Sequence, residues 1–156
     1  MKKILLISAV LILLHSCSMR NVIYYEYNGV TITRISEEAE SIFYYGKCND
    51  ENIPCPKSFI KATYSGFNNL MDGYLVFHSN KRVELIGFDG FPIIDSIKGL
   101  KDSLYLNEFP NPLDVFTFRD KIGGNYDSIV YISDVLEIEK DDNKRNHSKV
   151  KAIYPD

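Results

Sequence analysis

Two β-rich runs with Asn-Gly between them constrain this chain more than any other stretch: Val22-Ile-Tyr-Tyr-Glu-Tyr27, Asn28-Gly29, Val30-Thr-Ile-Thr-Arg-Ile35. Asn-Gly suits a type I′ hairpin turn, in which both central residues take positive φ. A two-residue loop leaves one register: Tyr27 faces Val30, Tyr25 faces Ile32 and Ile23 faces Arg34. That side is mostly apolar and is expected to point inward. Tyr24, Glu26, Thr31 and Thr33 share the opposite side, which suits partial exposure.

A second hairpin follows the same logic. Tyr74-Leu-Val-Phe-His78 is a continuous apolar run, the pattern of a central strand, and Ser79-Asn80-Lys81 turns it back into Arg82-Val-Glu-Leu-Ile-Gly-Phe88. Further strands are expected over 41–45, 57–65, 103–107, 113–119 and 128–132. Residues 36–40 read as one helical turn capped by Ser36, or as a polar bend into the next strand. Residues 93–100 read as a short helix or as irregular chain. The C-terminal stretch reads as a third hairpin. With Glu139 opposite Lys149, Glu137 meets Lys151 and Val135 meets Ile153, while Ile138 faces Val150 and Leu136 faces Ala152. Many short strands, regular turns and few helix signals predict a mainly β fold. The expected form is a single antiparallel sheet domain, sandwich or meander, with α+β as the alternative.

The front of the chain is of another kind. Lys2 and Lys3 precede an apolar run over 4–14, broken only by Ser8, in the charged-then-apolar layout of a secretory signal. Such a run rises only ~16 Å as a helix, against a hydrocarbon core of ~30 Å, so it is too short to remain as a span. Leu14-His15-Ser16-Cys17 resembles the lipobox of bacterial lipoproteins. The resemblance implies that the Cys17 thiol carries diacylglycerol, that the chain is cut just before Cys17, and that the new amine is acylated with a palmitate-like chain. Ser18, where Asp would signal inner-membrane retention, points to the outer membrane. The chain then divides into a signal peptide over 1–16, a lipidated tether over 17–21 and a β domain over 22–156. Each buried methylene contributes about 0.8 kcal/mol, and two or more acyl chains hold firmly where one holds weakly. The membrane is therefore one expected partner, reached through lipid at the N-terminus.

Charge and cysteines narrow the remaining classes. Loss of Lys2 and Lys3 deepens the formal charge from −3 to −5, which argues against nucleic acid as a partner. The chain has 11 Tyr and 9 Phe but no Trp, which lowers the expectation of a carbohydrate platform. Cys48 and Cys55 are expected to pair as a structural disulfide in an oxidising envelope. Closing so short a loop stabilises by about 2.5 kcal/mol on the chain-entropy estimate. Their spacing is neither C-x-x-C nor a zinc pattern.

No nucleophile elbow, metalloprotease helix, phosphate loop or dinucleotide fingerprint occurs. His78 ends an apolar strand and His147 lies in a charged loop. The acidic turns at 49–51 and 141–143 lack the spacing and central Gly of a calcium loop. No metal and no cofactor is expected. Glu26, Glu84, Asp89 and Glu108 are carboxylates of the right type for a glycosidase, but nothing in the sequence pairs two of them. In Tyr24-Tyr25 and Tyr44-Tyr45 one ring of each pair should face outward. Tyr24 and Tyr44, with Phe67, Leu70 and Met71 of the loop over 66–73, are the expected binding surface. Asp95-Ser96-Ile97, Asp102-Ser103-Leu104 and Asp127-Ser128-Ile129 resemble an Asp-Ser-apolar sequon for envelope O-glycosylation.

The leading expectation is an envelope-anchored lipoprotein acting as a non-enzymatic binding module for a protein partner. Its specific version is an immunity protein whose acidity suits a basic toxin. An accessory subunit of an outer-membrane complex and an unrecognised envelope hydrolase are the alternatives. The hydrolase predicts a deep pocket with clustered carboxylates, or His78 beside an acid.

Overall fold

The computed structural model describes residues 20–37, 40–49, 52–57, 59–63, 72–87, 94–96, 103–108, 126–145 and 147–154. Cys17, Phe67, Leu70, Met71 and Asp89, and the strand expected over 113–119, lie outside the described residues. The chain runs β1 (Asn21–Tyr27), β2 (Val30–Glu37), β3 (Glu40–Tyr45), β4 (Phe59–Thr63), β5 (Asp72–Phe77), β6 (Val83–Gly87), β7 (Ile94–Ser96), β8 (Leu104–Glu108), β9 (Ser128–Ser133), α1 (Leu136–Arg145) and β10 (Lys151–Ile153). The fold is mainly β, as the patterning predicts.

Two sheets form. One has the strand order β10-β1-β2-β3-β4-β7, the other β8-β6-β5-β9. All pairings in the first sheet are antiparallel. The second contains one parallel pair, β6 with β8. The first hairpin keeps the register set by its turn: Tyr27 opposite Val30, Tyr25 opposite Ile32, Ile23 opposite Arg34. Asn28 (φ 47°) and Gly29 (φ 76°) supply the two positive φ angles. Ser36 and Glu37 belong to β2 and Glu40, opposite Glu37, opens β3, so these residues are strand and not the helical turn capped by Ser36; residues 38 and 39 lie outside the described residues. Ile94–Ser96 is strand β7, paired to β4, in place of the expected helix or irregular chain.

The core lies between the sheets. Ile23, Tyr25, Val30, Ile32, Phe43, Ile60 and Ala62 face Leu75, Phe77, Val83, Leu85, Leu104, Val130 and Ile132. The rings of Tyr27 and Phe77 meet edge-on across the gap at 5.8 Å. Burial of each large aliphatic or aromatic side chain contributes about 1.5–3 kcal/mol. β5 is apolar from Tyr74 to Phe77 because its outer side is covered too: Tyr74, Val76 and Ile86 cluster there with Tyr126, Ile129 and Tyr131.

The C-terminal hairpin does not form. Leu136–Arg145 is a helix, and β10 pairs with β1, Lys151 opposite Glu26 and Ile153 opposite Tyr24. The expected pairings of Glu139 with Lys149 and Glu137 with Lys151 are corrected accordingly. Leu, Glu, Lys and Arg are strong helix formers. Glu137 and Glu139 sit in the first turn and Lys144 and Arg145 in the last, matching the helix dipole. The strand-like alternation misassigned both faces: Ile138 is 53% exposed and Glu139 is fully buried.

α1 lies along the outer edge of β9, and side chains there take the place of a further strand. Ser133 N donates to Glu139 Oε2 at 2.9 Å, and Arg34 Nη1 donates to Ser133 O at 2.8 Å. The Asn143 amide serves both groups of Tyr131, accepting from its N–H at 2.7 Å and donating to its carbonyl at 2.8 Å. Ser148 Oγ donates to Ile129 O at 2.7 Å. Backbone groups at a sheet edge need partners or water, and here the edge supplies no free row for another chain.

Candidate functional site

The most densely bonded polar group in the described structure is buried beneath α1. Arg34 stands on the inward side of β2 and is 1% exposed. Its Nη2 pairs with Asp134 Oδ1, its Nη1 lies 3.4 Å from Glu139 Oε2, and its Nε donates to Ser41 Oγ at 3.2 Å. Tyr25, its neighbour on the inward face of β1, donates its phenol to Glu139 Oε1 at 3.0 Å. The Tyr154 phenol is near enough to feel the Glu139 charge. Each group therefore has a counter-charge or a hydrogen bond, the condition for keeping charge in a low-dielectric interior.

Burial pushes the Glu139 carboxyl above its usual range, against the downward pull of the Ser133 N–H and the Arg34 guanidinium. Burial, and then the Glu139 charge, hold the Tyr25 phenol well above its ordinary value. Tyr154 is raised for the same two reasons. The cluster joins β1, β2, the end of β9 and α1 with its carboxylate sealed from solvent. Its chemistry is that of a fastening and not of a reaction centre.

The expected disulfide is present between Cys48 and Cys55. The loop it closes folds back over the outer face of the first sheet. Thr33 anchors it: Thr33 Oγ1 donates to Gly46 O at 2.6 Å and accepts from Cys48 N at 3.2 Å. Cys48 is fully buried against Ile35 and Tyr44, with Phe59 and Cys55 alongside. Tyr44 lies on the outer face, as alternation requires, but is not open to a partner there: it is 7% exposed because the cysteine loop covers it. Tyr24 is half-buried, with Lys47 Nζ 5.0 Å above its ring. A hollow of about 110 Å³ remains on this face, between Arg20, Ile35, Glu37, Glu40, Ile42 and Tyr44.

The outer face of the second sheet brings His78 beside an acid. His78 Nε2 lies 3.3 Å from Glu84 Oε2, both side chains being largely buried. Close by in the fold, the β5–β6 turn is held to the first sheet through Tyr45, whose phenol donates to Lys81 O at 2.8 Å. His147 is exposed and takes φ 50°. It helps line an open hollow of about 200 Å³ with Tyr126, Asp127, Ile129, Ser148 and Lys149. Of the three Asp-Ser-apolar tripeptides, the one at Ser128 is buried in β9, whereas Ser103 is half-exposed in a turn. Among the described residues no group of three or more His, Cys, Asp or Glu is placed to hold a metal ion.

Comparison with protein-family models, with curated proteins and with solved structures returns no match. The hairpin register places Arg34 on a mostly apolar inward face, and nothing near it in sequence marks its counter-ion. That arginine was the available signal, since a charge at an inward position requires a buried partner. Glu139 carried no such signal, because the strand pattern assigned it to the surface.

Proposed function

We propose that this chain is a lipid-anchored protein of the bacterial envelope, processed at Cys17, that acts by contact with another protein. The observation that supports it most is where the fold begins. β1 starts at Asn21, shortly after the lipobox-like Leu14-His15-Ser16-Cys17. A tether this short reaches ~14 Å when extended, so an acylated Cys17 holds one end of the sandwich near the bilayer. That end carries Asn21, the paired Glu37 and Glu40, and the start of β5. The opposite end carries the Asn28–Gly29 turn and the His78–Arg82 turn, and faces outward.

The full chain and its Cys17→Ala variant, expressed in a lipoprotein-processing bacterium, test the anchor. The wild type is expected in the membrane fraction, with acyl groups on an N-terminal Cys17 by mass spectrometry, and the variant in the soluble fraction. A membrane-extracted protein with an intact leader or a free Cys17 thiol overturns the reading. The immunity and accessory-subunit versions share this anchor; loss of a neighbouring complex on deletion favours the accessory. A second reading, an envelope hydrolase, draws support from His78 beside Glu84. It requires that His78→Ala abolish turnover of an envelope glycan or ester while leaving the fold intact.

A further inference from the structure

The described charges are unevenly distributed along the sandwich. At the end where β1 begins, the described acids Glu37, Glu40, Asp134 and Glu139 are matched by Arg20, Lys61 and Arg34. There Arg20 pairs with Glu37 at 3.2 Å and Lys61 with Glu40 at 2.7 Å. The opposite end carries Lys57, Lys81, Lys149 and Lys151, all exposed, and the half-buried Arg82. Facing them are Glu26, which sits opposite Lys151 in the β1–β10 pairing, Glu84 beside His78, and Asp127, while the last turns of α1 set Lys144 and Arg145 against Asp141 and Asp142. Among the described residues, the end opposite the start of β1 therefore carries exposed lysines in excess of its acids.

We infer that this basic end docks an acidic surface of a partner protein. The inference rests on the contact function proposed above and names the chemistry of its partner. Three observations converge on it. The lysines stand on separate turns, the β5–β6 turn and the stretch before β10, so together they cover an area and not a single point. Tyr27, Tyr45 and Tyr126 are half-buried at the same end, and tyrosine is enriched at protein interfaces. The open hollow of about 200 Å³ beside Lys149 gives a partner side chain a recess to enter. Its Asp127 excludes a carboxylate from the Asp127 side and favours approach from Lys149. Charge of this kind steers encounter and fixes orientation more than it adds affinity. It also reverses the expectation drawn from net charge: the partner that fits this end is acidic.

The test uses the full chain in non-ionic detergent, titrated calorimetrically with poly-L-glutamate at low salt. Binding is expected to be saturable and to weaken as salt rises. The combined K81E, K149E and K151E variant is expected to weaken it about tenfold or more, one tenfold step per ~1.4 kcal/mol. K61E, at the other end, is expected to leave it unchanged. Circular dichroism checks that the triple variant is folded; if it is not, K57E with K81E replaces it. No binding by the wild type, equal binding by the charge-reversed variant, or an equal effect of K61E overturns the inference. Tighter binding of a DNA oligonucleotide or a heparin fragment than of poly-L-glutamate overturns the assignment of a protein partner. A photo-crosslinking residue at Asn80 in the native membrane separates the two levels. A protein crosslinked equally in wild-type and charge-reversed backgrounds keeps the contact function and removes the basic docking surface. No crosslink here or at other exposed positions removes the contact function itself.

Discussion

Replacing Glu139 with Ala should unfasten the helix from both sheets. The substitution strips the Tyr25 phenol of its acceptor at 3.0 Å and the Ser133 N–H of its acceptor at 2.9 Å, and leaves Arg34 with Asp134 as its remaining anion in the cluster. Removing one partner of a buried ion pair costs roughly 3–5 kcal/mol, because the surviving charge stays buried. Domains of this size are stable by about 5–15 kcal/mol, so the loss is a large fraction of the total. With a urea m-value of about 2 kcal/mol/M, the unfolding midpoint should drop by roughly 2 M at unchanged slope. Glu139→Gln keeps the shape and one acceptor and should cost less, about 1–3 kcal/mol. Changing Arg34→Met together with Glu139→Leu removes both charges and should cost less than Glu139→Ala alone. If Glu139→Ala shifts the midpoint by under about 0.5 M at the same m-value, or if the double variant costs the sum of its singles, the cluster is not the fastening described.

Four further outcomes follow from the structure. The folded Glu139 carboxyl titrates above its ordinary value of 4.5, so its favourable contribution is complete below that pH and is lost as pH rises through the raised value; urea titrations of wild type against Glu139→Gln should show the wild type losing ground as pH rises above 4.5. Tyr25 and Tyr154 titrate above their ordinary 10.0, so the stability they confer is present below pH 10.0 and falls at higher pH; absorbance at the phenolate band should rise together with loss of circular dichroism. Cys48→Ser with Cys55→Ser should cost about 2.5 kcal/mol in urea unfolding and expose Tyr44 to solvent quenchers. Asn143→Ala with Ser148→Ala uncovers the β9 edge and should cost about 1–3 kcal/mol and promote self-association in sedimentation velocity, whereas a monomer as stable as wild type refutes the edge-capping role.

Local rules and long-range contacts divided this fold between them. The first hairpin was legible because Asn28 and Gly29 fix the turn and the turn fixes the register, all within neighbouring residues. β5 was legible because a strand covered on both sides must be apolar throughout. The disulfide followed from two thiols held close in sequence. The helix was not legible: Val135 to Glu139 alternates like a strand, and its composition favours helix with equal force. The choice fell to contacts far along the chain, Glu139 with Arg34 at a separation of 105 residues and β10 with β1. Tyr44 shows the same division, since alternation sends it to the outer face while only the folded cysteine loop decides that the outer face is covered. Sequence by itself determined the mainly β character, the turns and the inward side of the first hairpin, because those depend on backbone geometry and local periodicity. The tertiary structure alone decided which faces and edges meet solvent, and which buried charges meet each other. Both depend on where distant segments come to rest.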